Sequence, residues 1–186
     1  MLGSCFGILT SCIRTNSSRK DSEQLSNGED DTGYRVSGCT FCGVSKEKGF
    51  DVVWEDDAFV VFNDRNPASK HHLLVIPRRH VESVKTLKPS DASMVARMAE
   101  IGHDLLDELG VPPGSRRLGF HIPPFNSINH LHLHVQGLPY KSLWRRVKYP
   151  YRPGGDATEK GFGWFIEVEQ AIRILEKRGS VSIRAC

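Results

Sequence analysis

Residues 130–135 read His-Leu-His-Leu-His-Val, and no other segment restricts what this chain can fold into as tightly. Successive side chains of an extended strand point to opposite faces. Leu131, Leu133 and Val135 can therefore enter a core while the imidazoles of His130, His132 and His134 line the other face. A merely solvated face would not need three of the eight histidines at strict period two inside an apolar run. With an unperturbed pKa of roughly 6.5, imidazole keeps a large neutral fraction near neutral pH. The strand is thus read as a row of nucleophiles or metal ligands.

The remaining elements fall around that strand. Val52–Trp54 and Ala58–Phe62, separated by Glu55, Asp56 and Asp57, read as a hairpin. His72–Pro77 is apolar enough for an interior strand, and it ends where Pro77 has no N–H to give. Met94, Met98, Ile101, Leu105 and Leu109 recur at helical spacing behind Ser90 as N-cap, with Gly110 closing the helix. Leu118–Ile122 and His130–Leu138 supply two more strands. Phe165, Val168, Ile172 and Leu175 mark a second amphipathic helix. The sum is an α+β domain built on an antiparallel sheet of about five strands flanked by helices. Residues 1–36 are expected to be a disordered tail, because 15–33 hold almost nothing to bury. Residues 37–140 form the domain, and 141–186 a basic connection and a helix packed on it.

Composition narrows the setting. A net charge of +3 over 186 residues does not mark a nucleic-acid binder, although it suits anionic ligands. The five cysteines, Cys5, Cys12, Cys39, Cys42 and Cys186, form no disulfide framework, so a reducing compartment, cytoplasmic or nuclear, is expected. No apolar stretch approaches the roughly 20 residues of a membrane span. Whether Cys5 or Cys12 is lipidated stays open. Cys39-x-x-Cys42 has the spacing of a zinc half-site, with a reduced pair buried beside Phe41 as the other reading. The stretch holding Lys141, Arg145, Arg146, Lys148 and Arg152, interleaved with Trp144, Tyr149 and Tyr151, reads as a solvated connection in preference to a nucleic-acid surface. His103 reads as an ordinary helix-surface residue.

The His-x-His-x-His run, together with Gly119-Phe-His-Ile-Pro-Pro-Phe-Asn-Ser-Ile-Asn-His130, resembles the histidine-triad superfamily. The chain looks most like its Hint-type nucleotide-binding proteins with a C-terminal helical extension, a group related to the aprataxin catalytic domain. That resemblance implies a hydrolase that cleaves AMP from phosphoramidates, acyl adenylates or adenosine phosphosulfate through a covalent histidyl-AMP on His132. The transferase branch ends its motif in glutamine, whereas His134 stands here, which favours hydrolysis. His134 and His72 are implied to face the phosphate; His71 is the ambiguous neighbour, and the position before Leu73-Leu-Val-Ile-Pro favours His72. Ser127 is implied to serve the leaving group. Phe62 is implied to pack on the base and Asp64, beside Arg65, to accept the ribose hydroxyls, with a turn cap as the other reading of Asp64. Asn126 is implied to touch ribose or phosphate, and His121 lies near an asparagine of simpler Hint proteins. Those proteins have glycines where this loop reads Pro-Pro-Phe-Asn-Ser. The resemblance further implies a structural zinc on Cys39, Cys42, His80 and His130, with no metal needed for the chemistry, and it allows a homodimer. Two other functions stay open: an aprataxin-like hydrolase of adenylated nucleic acid, and a nucleotide-binding regulator whose hydrolysis is incidental.

Overall fold

A computed structural model describes residues 35–186. The polar segment expected at 15–33 and the cysteines Cys5 and Cys12 lie outside the described residues. Six strands form one antiparallel sheet in the order β1-β2-β3-β5-β4-β6: β1 Val52–Glu55, β2 Phe59–Asn63, β3 Ser69–Pro77, β4 Arg116–His121, β5 Leu133–Tyr140 and β6 Phe165–Glu167. The hairpin β1–β2 turns on Asp56, whose Oδ1 accepts from the backbone N–H of Ala58 and Phe59 at 2.8 and 2.6 Å.

The sheet divides the protein by residue parity. Leu73 and Val75 of β3, Leu133 and Val135 of β5, and Leu118 and Phe120 of β4 face one way. They meet the apolar stripes of α1 (Ala92–Glu108) and of α3 (Val168–Glu176), and all of these share one core. The other face carries Phe62, Leu74 and Ile76, covered by Phe41 and Val44 from the N-terminal segment, and beside them the histidines. Gly102 of α1 lets helix and sheet approach closely, since a Cβ there would stand 2.7 Å from Val135 Cγ2.

Several expectations are corrected. His130 and His132 precede the ladder, which begins at Leu133. Pairing of β4 with β5 stops at Gly119 and His134, Phe120 and His121 pairing only with β6, and Leu131 N–H turns instead to Val81 O at 2.6 Å. The solvated reading of this run also fails, because all six residues 130–135 are buried. Phe165 belongs to a sixth strand and not to the second helix. It pairs with His121, and α3 starts at Val168 behind Glu167, whose N–H donates to Gln170 Oε1. Within the basic connection, residues Leu143–Val147 form a short helix, α2, with Leu143, Trp144 and Val147 all exposed. The first long helix begins one residue later than expected, with Asp91 as N-cap after a 3-10 turn at Pro89–Asp91.

Candidate active site

The buried imidazoles of His72, His132 and His134 and the half-buried ring of His121 gather where β3, β4 and β5 adjoin, and backbone groups decide which nitrogen of each carries the proton. His132 Nδ1 lies 2.7 Å from His130 O. A carbonyl only accepts, so Nδ1 holds the hydrogen and Nε2 keeps its lone pair. Burial pushes the His132 pKa below the usual imidazole range, against the pull of that carbonyl and of Asp64.

The other three imidazoles form a directed chain. Ala68 N–H donates to His72 Nδ1 at 3.0 Å, so a neutral His72 carries its proton on Nε2. That nitrogen lies 3.0 Å from His134 Nδ1; His134 Nε2 lies 3.0 Å from His121 Nδ1; His121 Nε2 lies 3.0 Å from Lys148 O. Reading back from the Lys148 carbonyl assigns every ring the same Nε2–H tautomer. A backbone donor at one end and a backbone acceptor at the other thus polarise one row of hydrogen bonds. The side-chain amide of Gln136 lies 3.2 Å from His72 Nε2, and its oxygen accepts from the Tyr140 hydroxyl at 3.2 Å. Burial pushes His72 and His121 down to about 4 and His134 well below its usual value, so the row is neutral at neutral pH. Asp64, His72 and His134 approach one another as closely as metal ligands would, but the proton on His72 Nε2 points to His134 Nδ1 at 3.0 Å, with Asp64 Oδ2 3.4 Å away.

Two cavities meet at this row. The first, about 420 Å³, is walled by Phe41, Phe50, Phe62, Leu74 and Ile128, with Asp51, Asn63, Asp64 and Arg65 at its polar edge and His132 at its base. The second, about 410 Å³, is lined by Phe125, Arg145, Lys148, Tyr149 and Trp164. Asp64, Ser127 and His134 border both. Asp64 Oδ1 accepts from Asn66 N–H at 2.7 Å, capping the turn, while Oδ2 lies 3.4 Å from His72 Nε2. Asn126 instead bonds within its own loop, to Ile128 O and Asn129 Oδ1. Neither His71, half-buried, nor His72, fully enclosed, lines either cavity; His72 meets the site through its bond to His134. His103 sits beside the Arg116 guanidinium, away from the site.

Next to the triad, Cys39, Cys42, His80 and His130 bring four ligand atoms within 4.8 Å of one another. Cys39 Sγ and Cys42 Sγ lie 3.4 and 3.6 Å from His130 Nδ1, and Cys42 Sγ 3.3 Å from His80 Nδ1. Sulfur and nitrogen ligands on one tetrahedral ion, at about 2.3 and 2.0 Å from it, stand about 3.5 Å apart. His130 Nε2 donates to Pro77 O at 2.8 Å, which leaves Nδ1 unprotonated toward the sulfurs. The donor set fits a closed four-coordinate metal site.

Sequence reasoning missed Phe41, Phe50, Asp51 and Asn63 in the first cavity, and Phe125, Arg145, Lys148, Tyr149 and Trp164 in the second. They come from segments far apart in the chain; Arg145, Lys148 and Tyr149 fall in the basic, aromatic stretch read as a solvated connection, and no local pattern joins them to the others.

A family model described as scavenger mRNA decapping enzyme C-term binding matches residues 38–149. The adenosine 5′-monophosphoramidase HINT3 of Danio rerio is 37% identical over 142 residues, 75% of this chain and 82% of that protein. The chain is a Hint-type member of the histidine-triad superfamily. A second Hint relative, the bifunctional adenosine 5′-phosphosulfate phosphorylase/adenylylsulfatase HINT4 of Arabidopsis thaliana, is 39% identical over 75% of this chain and 90% of its own length. The solved HIT family hydrolase from Clostridium thermocellum superposes with a TM-score of 0.53 at 25% identity, covering 58% of this chain and 96% of that one. The share left uncovered is consistent with the histidine-triad core carrying additions here. No helix among the described residues is long and apolar enough to cross a membrane.

Proposed function

We propose that this chain releases AMP from adenylated small molecules, with His132 as the nucleophile. One observation carries the reading: the Nδ1–H of His132 is tied to a carbonyl, so its unprotonated Nε2 is left for the cavity where the two pockets meet. The aromatic wall of the first cavity suits a nucleobase, and its carboxylates suit ribose hydroxyls. The names of the HINT3 and HINT4 relatives support adenosine 5′-phosphoryl compounds as the substrate class.

The lone pair of His132 Nε2 attacks the α-phosphorus, and the bond to the leaving group breaks with its electron pair on the departing atom. An amine takes a proton as it leaves; Ser127, which borders both cavities, supplies it through its hydroxyl and regains one from the water that next attacks the adduct. The Nε2–H of His134, held toward His121 in the free protein, can be shared with a nonbridging phosphate oxygen. Water then cleaves the phosphorus–nitrogen bond, releasing AMP and restoring His132.

Cys39, Cys42, His80 and His130 would hold zinc as a structural ion, because the set leaves no open position. His130 O grips His132 and Phe41 packs edge-on against the His132 ring with centroids 5.6 Å apart, so these residues also brace the nucleophile.

The test is AMP release from adenosine 5′-phosphoramidate. His132→Ala should lower kcat by at least about a thousandfold, and mass spectrometry of acid-quenched native protein should find an acid-labile AMP adduct. Near-normal turnover by His132→Ala would refute the proposal.

A further inference from the structure

We propose that the second cavity is a leaving-group subsite built for an oxyanion, so that anhydrides of AMP with an oxyacid are handled in preference to phosphoramidates of neutral amines. This rests on reading the chain as an AMP-releasing hydrolase. In an in-line displacement the leaving group departs opposite the attacking atom. His132 lines the first cavity and not the second, while Ser127, His134 and Asp64 border both. A phosphorus held at that border and attacked from His132 sheds its leaving group into the second cavity.

Size and charge of that cavity then select the group. It holds about 410 Å³, whereas a departing ammonia needs about the 30 Å³ share of one water. Two cations line it, Arg145 and Lys148, against one acid, Asp64. The Arg145 guanidinium is held in place by Asn66, at 3.2 Å from its carbonyl and 2.6 Å from its side-chain oxygen, so its fork is ordered before any ligand arrives. Lys148 is anchored beside the histidines through its own carbonyl, which accepts from His121. Phe125 and Trp164, with ring centroids 5.6 Å apart, wall off the remaining space for the body of the leaving group.

The chemistry follows from where the electrons go. When an oxyacid leaves, the pair of the breaking P–O bond settles on the bridging oxygen, and no proton is required. Arg145 and Lys148 stabilise the charge that develops there, more in the transition state than in bound substrate. An amine must gain a proton to leave, and the two cations that line this cavity oppose that.

Compare kcat/KM for adenosine 5′-phosphosulfate and adenosine 5′-phosphoramidate on the unmodified chain, Arg145→Ala and Lys148→Glu. The sulfate-to-amine ratio should fall at least tenfold in each variant, and added salt should lower it in the unmodified protein. Lys148 is exposed, so its variant carries the test even if Arg145→Ala folds poorly. A ratio unchanged within threefold in Lys148→Glu, with both substrates turned over, would overturn the subsite while leaving AMP release intact. Failure of the unmodified chain to release AMP from either compound would instead sink the parent reading, and this inference with it.

Discussion

A neutral imidazole has one donor and one acceptor, so a row of three between fixed backbone groups has one consistent protonation pattern. In this protein the row runs from Ala68 N–H through His72, His134 and His121 to Lys148 O. His121 therefore acts through His134, as a positioning residue. Its Nδ1 accepts from the Nε2–H of His134. His121→Phe keeps the ring packed against Phe165 and Tyr149 but deletes the acceptor. We expect kcat to fall about ten- to a hundredfold, equal to the roughly 1.4 to 3 kcal/mol of one misdirected hydrogen bond, with KM nearly constant. His121→Asn places a carbonyl oxygen near the former Nδ1 and should recover much of the rate. Long-range proton–nitrogen NMR should report the Nε2–H form of His134 in both proteins, fixed from the Ala68 end, with its Nε2–H resonance shifted in His121→Phe where the acceptor is gone; identical spectra and rates would defeat the assignment.

Among the elements, the N-terminal 3-10 turn Phe41–Gly43 depends most on partners remote in sequence. Three residues of such a turn have little stability of their own. Phe41 inserts among Phe50, Phe62 and the triad rings, and the flanking cysteines reach His80 and His130. Without metal, burial and the neighbouring Cys39 thiol raise the Cys42 pKa, whereas a bound dication favours the thiolates. Protein prepared without chelator should carry about one zinc per chain, and Cys39→Ser or His80→Ala should lose it together with several degrees of melting temperature. Atomic absorption that finds no metal in folded protein would return the cysteines to a purely apolar role. Strand β6 shows the same dependence: Gly119 has no room for a Cβ, which would stand 2.3 Å from Ile166 O, and that close approach brings Phe165 beside His121.

For the whole molecule, the sheet separates a dry core from a face of buried imidazoles, and this sets the response to acid. His72 and His121 titrate near 4 when folded but near the ordinary 6.5 when unfolded. Between those values the unfolded chain binds more protons, so stability is full above about pH 6.5 and is lost as pH falls toward 4. Each such imidazole contributes a slope of about 1.4 kcal/mol per pH unit across that window. Melting temperature should be flat above pH 7 and drop steeply between 6.5 and 4; a flat profile down to pH 4.5 would contradict neutral buried rings. The C-terminal residues are tied into the same body by Lys160, fully buried, whose Nζ donates to Gly161 O and Ile183 O.

The sequence alone determined what period and punctuation encode. Alternation at 130–135 and the apolar run ending at Pro77 specify strands, and the 94–109 stripe specifies a helix, because each depends on neighbours within a few residues. The convergence of His72, His132, His134, Asp64 and Ser127, and of Cys39 and Cys42 with His80 and His130, was legible through the family pattern; the roles drawn from it remain proposals. Tertiary structure decided the rest. Period two cannot show where a ladder begins, and the end of β4–β5 pairing at Gly119 and His134 left His130 and His132 outside the strand. Nor can residue type show a tautomer, which was set by the Ala68 N–H and the Lys148 carbonyl, 80 residues apart in the chain. A second cavity assembled from loop 123–127, the turn at Asn66 and the segment after α2 has no sequence signature, because it exists only as the space left between packed elements.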